Sequence, residues 1–437
     1  MNSKKIIALV LAAVLALFFA GCSPMETNVE NLIVPPKLEG EMRPVQEALE
    51  ASVGRDITLR YPVSGEYHSA IVMKDLNGDG TDEAVAFYST TADSTVMMHI
   101  NVIAKDQEGW QSKGDMNLVG SGVESLSFSD LDGDGNLEIV VGWLVYGTVD
   151  KKAGIYAFDG KKIIQRALEP YTNFTTVDLS GDGRGDLTLI HLNTAEKKAQ
   201  AKVLSFSTAG VVEIGNLPLD GGVTSYSTPV YSTLSDNTPA LYVDAVKGSG
   251  MLTEILWFDN GTFKTVYDAA QPDAAPTYRE GMVAARDYNE DGIIDIPRSE
   301  ILLSTQNLAD ADKVYFTNWS DFNGLEFRTL SSTFMNYADG YSLTVAPEWK
   351  DKMFLIRRTE ARMRMIYEYD PEKEKSGGEI FRIAVVTEED YGKKDYTAEG
   401  YFLISKQKGL IYLSLVNPEN SLGITEDTVM TMFELIK

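Results

Sequence analysis

The sequence predicts a mainly β protein, with a β-propeller of about five blades followed by a smaller α+β domain. An acidic, glycine-containing loop recurs with a period of about 50 residues, and apolar segments typical of strands lie on both sides of it. After about residue 331 the repeat stops and longer segments follow. Four short strands in each repeat of about 50 residues are typical of propeller blades.

Composition and charge restrict the class of protein. Of the 437 residues, 44% are hydrophobic and 24% are charged, which is typical of a globular protein with two or three domains. The 64 acidic residues outnumber the 39 basic ones, and the net charge of −25 repels phosphate, so we expect no nucleic-acid partner. One cysteine excludes an intrachain disulfide and a thiolate zinc cluster, and three histidines leave little material for histidine-based catalysis.

Residues 1–21 have the pattern of a secretory signal. Two lysines precede an apolar run at residues 6–20, which is shorter than the roughly 20 residues that span a bilayer. Residues 19–22, Phe-Ala-Gly-Cys, resemble the bacterial lipobox, although that motif usually has leucine where phenylalanine stands here. The resemblance implies a diacylglyceryl group on Cys22 and an anchor on the extracytoplasmic face of the cell membrane. The alternative is a chance cysteine beside an ordinary cleavage site.

Two segments lead from the anchor into the repeats. Residues 22–40 are polar and contain Pro35-Pro36, which predicts a tether. Within residues 41–63, apolar residues at helical spacing predict a short amphipathic helix up to Val53. A lead-in strand near residues 56–61 would then close the ring of five blades.

A nine-residue loop organises residues 64–330. Four copies begin 55, 48 and 109 residues apart, and a degenerate copy at residues 233–241 fills the double gap. Strand candidates flank each copy, so each loop should join strands one and two of its blade. We name the complete copies loops 1 to 4 and residues 233–241 the degenerate loop. Loops 1 to 4 are residues 75–83, 130–138, 178–186 and 287–295.

Five positions of each loop can supply oxygen ligands to a metal ion. Side-chain oxygens at positions 1, 3, 5 and 9 converge if the backbone wraps around one point, with a carbonyl oxygen from position 7. Glycine at position 6 allows the sharp turn. Hard oxygen ligands in this number suit Ca2+ better than a transition metal. The predicted ligands are Asp75, Asn77, Asp79, Thr81, Glu83, Asp130, Asp132, Asp134, Asn136, Glu138, Asp178, Ser180, Asp182, Arg184, Asp186, Asp287, Asn289, Asp291, Ile293 and Asp295.

These loops resemble the FG-GAP or VCBS repeat, found in the propellers of integrin α-chains and in many bacterial surface proteins. The resemblance implies a calcium-binding propeller. The alternative is that the loops are polar hairpin turns without metal. Two departures give this alternative more weight at loops 3 and 4 than at loops 1 and 2, although metal binding stays the preferred interpretation: Ser180 replaces a carboxylate or amide, and Glu290 occupies a usual glycine position. The degenerate loop should have lost its ion.

Residues 331–437 predict the α+β domain. Strand candidates lie near residues 341–345, 353–356, 363–369, 380–386, 400–405 and 410–415, and residues 425–436 have a helical pattern. An antiparallel sheet with terminal helices is the expected result. Residues 339–349 also resemble, over this short motif, the opening of PsbP-like α/β sandwich domains.

Two classes of function fit the sequence. The first is a lipid-anchored binding or scaffold protein for an extracellular glycan or protein ligand, with calcium stabilising the propeller. The second is a glycan-acting hydrolase that uses two carboxylates across the propeller mouth. Most paired carboxylates belong to the metal loops, and motifs for a nucleophile elbow, a zinc-protease helix or a phosphate loop do not occur, which favours binding. Tryptophans 110, 143, 257, 319 and 349 could line a sugar platform, although core positions are commoner for tryptophan.

The lipid anchor gives the first testable prediction. The substitution Cys22→Ser should release the protein from membranes of its native host, because it removes the atom that carries the lipid. Fractionation of cells that express either form measures this release. Unchanged partitioning into membranes would refute the lipoprotein assignment.

Overall fold

The computed structural model describes residues 42–92, 95–145, 151–271, 274–309, 312–359 and 361–436. The predicted signal, the tether and Cys22 lie outside these residues, so their assignments stay predictions. The described residues are mainly β, as predicted, with strands β1 to β29 in six antiparallel sheets.

The first three sheets follow the first three repeats of the sequence. In the second and third sheets, successive strands pair antiparallel in chain order. In the first sheet the last three strands pair in this way, and both earlier strands pair with the third. Sheet 1 contains β1 (Thr58–Leu59), β2 (Ile71–Lys74), β3 (Glu83–Ala92), β4 (Thr95–Asp106) and β5 (Gly109–Val119). Sheet 2 contains β6 (Gly122–Ser129), β7 (Glu138–Leu144), β8 (Lys151–Phe158) and β9 (Ile163–Tyr171). Sheet 3 contains β10 (Asn173–Val177), β11 (Asp186–Asn193), β12 (Lys198–Ser207) and β13 (Gly210–Leu219).

Three further sheets complete the described chain. Sheet 4 contains β14 (Ser225–Tyr226), β15 (Val230–Thr233), β16 (Pro239–Lys247), β17 (Gly250–Asp259), β18 (Thr262–Thr265) and β19 (Arg279–Glu280). Sheet 5 contains β20 (Ile296–Ile301), β21 (Tyr315–Phe322), β22 (Phe327–Asn336), β23 (Tyr341–Val345) and β29 (Phe433–Leu435). Sheet 6 contains β24 (Met353–Arg358), β25 (Met363–Asp370), β26 (Lys375–Thr387), β27 (Phe402–Gln407) and β28 (Leu410–Val416).

Four helices accompany the sheets in the described part of the chain. The first of them matches the predicted amphipathic helix, with Val45 and Leu49 buried on its apolar side. The helices are α1 (Met42–Val53), α2 (Pro347–Lys350), α3 (Glu388–Tyr391) and α4 (Glu426–Met432), with a 3-10 turn at Leu303–Thr305.

The repeated loops join the first two long strands of their sheets, as predicted. Loop 1 connects β2 to β3, loop 2 connects β6 to β7, and loop 3 connects β10 to β11. The degenerate loop connects β15 to β16. Before loop 4 the first strand is reduced to an isolated bridge between Arg286 and Asp295, and β20 follows it directly.

Apolar side chains between neighbouring sheets pack the six sheets in an open row. Separate cores join sheets 1 and 2, sheets 2 and 3, sheets 3 and 4, sheets 4 and 5, and sheets 5 and 6. Helix α1 covers the remaining face of sheet 1, where Val45 and Leu49 contact Ile71, Ala84 and Ile103. Burial of both faces explains why inner strands such as β7 are nearly continuous apolar runs, whereas the last strands of the same sheets, such as β9, contain polar residues and are mostly only partly buried.

The expected closed ring of five blades is wrong for the described residues. The lead-in strand predicted near residues 56–61 forms β1, but β1 pairs with β3 of its own sheet, through Thr58 opposite Ser89. A closed ring would place the last sheet against the outer face of sheet 1, and helix α1 occupies that face. The sheets are therefore not closed as one propeller.

The C-terminal region contributes to two sheets. Strand β22 runs across the expected boundary between residues 330 and 331, and β23 and β29 extend sheet 5 beyond it. The helix predicted for residues 425–436 ends at Met432, because the next three residues form β29 opposite β23. Sheet 6 and helices α3 and α4 supply the expected antiparallel sheet with short helices.

Candidate metal centres

The repeated loops lie in sequence along one edge of the row of sheets. Leu137 of loop 2 donates its backbone N–H to the carbonyl of Leu76 in loop 1, at 2.8 Å. The Tyr231 hydroxyl donates to the carbonyl of Asp178 in loop 3, at 3.1 Å, and Ser232 Oγ donates to the carbonyl of Gly292 in loop 4, at 2.9 Å. Loop 1 therefore contacts loop 2, and strand β15 contacts both loop 3 and loop 4.

The carboxylate at position 1 sets the path of the backbone in all four loops. In loop 1, Asp75 accepts the N–H groups of Gly78 at 2.8 Å and Gly80 at 2.9 Å. Asp130 and Asp178 accept the equivalent two N–H groups in loops 2 and 3. In loop 4, Asp287 accepts the N–H of Gly292 at position 6, and the N–H of Asp291 at position 5 takes the place of the position 4 donor. These bonds wrap the chain around one point, which is the geometry that the predicted ligand set requires.

Glycine supports this path at positions 4 and 6, because both positions have a left-handed backbone. In loop 1, φ is +70° at Gly78 and +84° at Gly80. At position 4 of loop 4, Glu290 adopts φ +61° without being glycine. A non-glycine residue pays a conformational penalty there. The departure noted in the sequence therefore leaves the shape of loop 4 unchanged.

The carboxylates at positions 5 and 9 are held in the same way in each loop. Position 5 accepts the N–H of position 7, and position 9 accepts the N–H of position 2. In loop 2, these bonds are Asn136 N to Asp134 Oδ1 at 2.8 Å and Leu131 N to Glu138 Oε2 at 2.8 Å. The equivalent acceptors in the other loops are Asp79, Asp182, Asp291, Glu83, Asp186 and Asp295.

Several predicted ligands carry buried oxygen atoms that have no hydrogen-bond partner among the described residues. These atoms are Asp132 Oδ1, Asp186 Oδ1, Asp295 Oδ1 and Ser180 Oγ. A buried polar atom without a partner destabilises a protein by about 1–3 kcal/mol, so a bound cation is the simplest way to satisfy three such carboxylates. In loop 2, single carboxylate oxygens of Asp130, Asp132 and Glu138 lie within 4.8 Å of one another. Loop 2 therefore fits a hard cation such as calcium. Among the described residues, loops 1, 3 and 4 do not bring three carboxylates this close, and loops 3 and 4 offer the buried oxygen atoms named above.

The pKa values of the carboxyl groups at position 9 also show how costly it is to bury their charge without a cation. Burial raises the pKa of Glu138 to about 7, and the neighbouring Asp132 adds to this effect. Burial also raises the pKa values of Glu83, Asp186 and Asp295, against hydrogen bonds from the backbone that lower them. Without a cation, the buried carboxylates therefore hold protons more readily than exposed ones do.

The degenerate loop keeps the turn and lacks the ligands. Position 9 is Leu241, which is buried, and Asp236 accepts the N–H of Thr238 at 3.0 Å as in an ordinary polar turn. Leu234 at position 2 remains buried in the core. Backbone hydrogen bonds within the turn and the burial of Leu234 give this loop its shape, and the loss of its ion stays a prediction.

The side chains of two arginines near these loops were not part of the predicted ligand chemistry. Arg166 on β9 donates from Nη1 to Asp132 Oδ2 at 3.0 Å, and the same nitrogen lies 4.0 Å from Glu138 Oε1. Arg184 of loop 3, predicted to act through its carbonyl, also pairs its side chain with Asp182 at 2.5 Å, which lowers the pKa of Asp182. The loop motif specifies nothing about β9, so the sequence carries no signal for Arg166.

One open cleft lies beside the loops, and another lies at a distance from them. The first, of about 560 Å3, lies between loops 1 and 2 and is lined by Asp79, Asp134, Asp159 and Arg166. The second, of about 580 Å3, lies at the opposite end of sheet 3 and is lined by polar and apolar side chains, including Gln200 and Asn216. The first cleft is acidic, and the second combines amide groups with an apolar floor.

The tryptophans occupy core positions, as the sequence favoured. Trp143, Trp257 and Trp319 are buried. Trp110 and Trp349 are partly buried and pack against the cores beside helix α1 and sheet 6. None of these five indole rings therefore forms an exposed sugar platform in the described structure.

No described helix is long and apolar enough to cross a membrane.

The pKa of Glu138 predicts how the metal-free protein responds to pH. Its folded pKa of about 7 exceeds the ordinary value of 4.5, so its contribution to stability is complete below about pH 4.5 and is lost as the pH rises through 7. We expect the melting temperature in chelator to fall from about pH 5 to about pH 7.5, and calcium to reduce this fall.

Calorimetry of the wild type and of Glu138→Gln measures this response. The neutral glutamine should flatten the pH dependence, because it cannot release a proton. Asp236→Asn in the degenerate loop is the matched control and should leave the profile unchanged. A melting temperature in chelator that rises over this pH range would contradict the prediction.

Comparison with protein-family models and with curated proteins gives no match. Among solved structures, the chain is similar to an exotype rhamnogalacturonan lyase, with 11% identity over 81% of this chain and 83% of that chain and a TM-score of 0.32. A Bacillus licheniformis rhamnogalacturonan lyase gives 9% identity over 83% and 91%, with a TM-score of 0.30. The β-propeller domain of the trilobed protease from Pyrococcus furiosus gives 10% identity over 80% and 91%, with a TM-score of 0.27. At these scores, the likeness carries no argument about activity.

Proposed function

We propose that this protein is a calcium-binding module built from FG-GAP/VCBS-like sheet repeats, anchored by lipid at Cys22 on the extracytoplasmic face of the membrane. It would act as a binding or scaffold module for a glycan or protein ligand. One observation carries the proposal. Buried carboxylate oxygens at predicted ligand positions of loops 2, 3 and 4 have no partner among the described residues.

The ligand chemistry favours calcium over other metals. Every side-chain donor at positions 1, 3, 5 and 9 of the four loops is an oxygen, and neither histidine nor cysteine occurs among them. Hard oxygen donors in flexible loops suit calcium, whereas magnesium demands a stricter octahedral shell and keeps more of its water. When bound, calcium would neutralise the converging carboxylates and hold each loop closed.

The geometry supports binding better than hydrolysis. A glycan-acting hydrolase of the kind considered above needs two carboxyl groups that reach the substrate, one with a raised pKa. Glu138 has such a pKa, but its side chain is only 2% exposed and its Oε2 accepts the N–H of Leu131. Its raised pKa therefore results from burial in the loop. The cleft between loops 1 and 2 is lined by Glu138, Asp132 and Asp134. These carboxylates are predicted calcium ligands, so in this proposal they serve the metal and not catalysis.

Removal of calcium is the direct test of the metal sites. Extracellular calcium modules bind with dissociation constants of about 10⁻⁴–10⁻³ M, and each site at tenfold excess adds about 1.4 kcal/mol of stability. A chelator should therefore lower the melting temperature by several degrees, and calcium should restore it better than magnesium. Asp134→Ala should remove the stability that calcium adds at one site. Asp236→Ala in the degenerate loop should change the stability by less than about 0.5 kcal/mol. If chelation leaves the melting curve unmoved, the loops are plain turns.

The ligand is tested separately from the metal. The protein that begins at Ser23 should be screened on a glycan array with calcium and with chelator, together with a panel of glycosidase substrates. We expect specific retention of a glycan or a protein ligand and no turnover. Turnover of a glycosidase substrate that is lost on substitution of a cleft carboxylate would support the hydrolase instead.

A further inference from the structure

Loop 2 differs from the other loops in charge at one ligand position. At position 3, loops 1, 3 and 4 carry the uncharged residues Asn77, Ser180 and Asn289, whereas loop 2 carries Asp132. Positions 1, 5 and 9 are carboxylates in all four loops. Loop 2 therefore brings four carboxylates to its ligand positions, and each of the others brings three.

Arg166 meets this additional carboxylate directly. Its Nη1 donates to Asp132 Oδ2 at 3.0 Å, while Nη2 donates to the carbonyl of Ser207 in the next sheet at 2.6 Å. The Arg166 side chain is 15% exposed, and the side chains of Asp132 and Glu138 are each 2% exposed. A pair this buried is screened much less by solvent than a surface pair.

The contact leaves one oxygen of Asp132 without a partner. Arg166 takes Oδ2, while Oδ1 is buried and lacks a hydrogen-bond partner among the described residues. One carboxylate can therefore serve the arginine and a metal ion at the same time. This arrangement is typical of residues that orient a ligand from outside the coordination shell.

Cations on the matching strands of other sheets pair elsewhere. Lys113 on β5 of sheet 1 bonds to Asp106, and Arg328 on β22 of sheet 5 pairs with Asp321. Neither partner is a predicted metal ligand. Of these three strand cations, only Arg166 pairs with a predicted metal ligand, and its loop is the one with a carboxylate at position 3.

We propose that Arg166 is a fixed counter-cation for Asp132, which brings the net charge at the ligand positions of loop 2 to that of loops 1 and 4 and lowers its affinity for calcium. In loop 3, Arg184 pairs with Asp182, which leaves that loop with one unit less of negative charge. This inference rests on the proposed calcium binding. With Arg166 in place, the metal-free loop is relieved of one unit of repulsion between buried carboxylates. The cost is a unit of positive charge beside the site, which opposes a divalent ion.

Calcium titration of the full-length protein tests this role. The binding step that is lost in the Asp134→Ala variant is assigned to loop 2. Arg166→Gln should raise the affinity of that step about tenfold, because a unit positive charge near a divalent ion is lost. Arg166→Lys keeps the charge and should leave the affinity within about threefold of the wild type. Lys113→Gln is the matched control, since it removes a strand cation that pairs with the partly exposed Asp106 outside the loops. Arg166→Gln should also lower the melting temperature in chelator, and Lys113→Gln should change it much less.

A double variant keeps the test decisive if Arg166→Gln does not fold. Asp132→Asn combined with Arg166→Gln recreates the charge of loop 1, where position 3 is Asn77. Its affinity should lie within about threefold of the wild type, because the loss of one positive charge and the loss of one negative charge beside the site offset each other. A tenfold change in the double variant, or an affinity that falls in Arg166→Gln, would overturn the role of Arg166. A wild type that binds no calcium would instead refute the proposed function.

Discussion

The structure depends on the burial of both faces of sheets 1 to 5 in the row. Apolar side chains on a sheet must be covered, and stacking neighbouring sheets covers the inner faces of the row in turn. In a closed ring the two terminal sheets would cover one another. Here helix α1 covers the outer face of sheet 1, through Val45 and Leu49. The row can therefore remain open without leaving a large apolar surface at that end.

The loops are tied into the same packing. Position 2 of loops 1 to 3 and of the degenerate loop is leucine, and each of these side chains is buried: Leu76, Leu131, Leu179 and Leu234. In loop 4, Tyr288 takes this position and stacks on the buried Trp319, with ring centroids 4.5 Å apart. The apolar anchor and the acidic ligands lie within one turn of chain. Neutralising the carboxylates and packing the sheets are consequently linked, because the same loop must satisfy both.

Short-range features were predictable from the sequence, and features that depend on distant residues were not. The nine-residue loops, their flanking strands and helix α1 follow local patterns, and the structure confirms them. Ring closure was wrong because the sequence does not show which element covers the outer face of sheet 1. The end of the last helix was misjudged for a similar reason, since Phe433 pairs with Leu343 and this pairing overrides a helical pattern. Arg166 lies on another strand, and nothing in the loop motif specifies its position.

The open row also gives the inter-repeat contacts of the loops more mechanical weight than they would have in a ring. In a closed ring, each sheet is held by neighbours on both sides and by closure of the whole. In an open row, a shift between two sheets is opposed only by the core between them and by the contacts at their edges. The bond from Leu137 to Leu76 and that from Ser232 to Gly292 are contacts of this kind. An ion that fixes the shape of a loop would therefore also fix the position of the next sheet, so each ion would stabilise an interface as well as a turn.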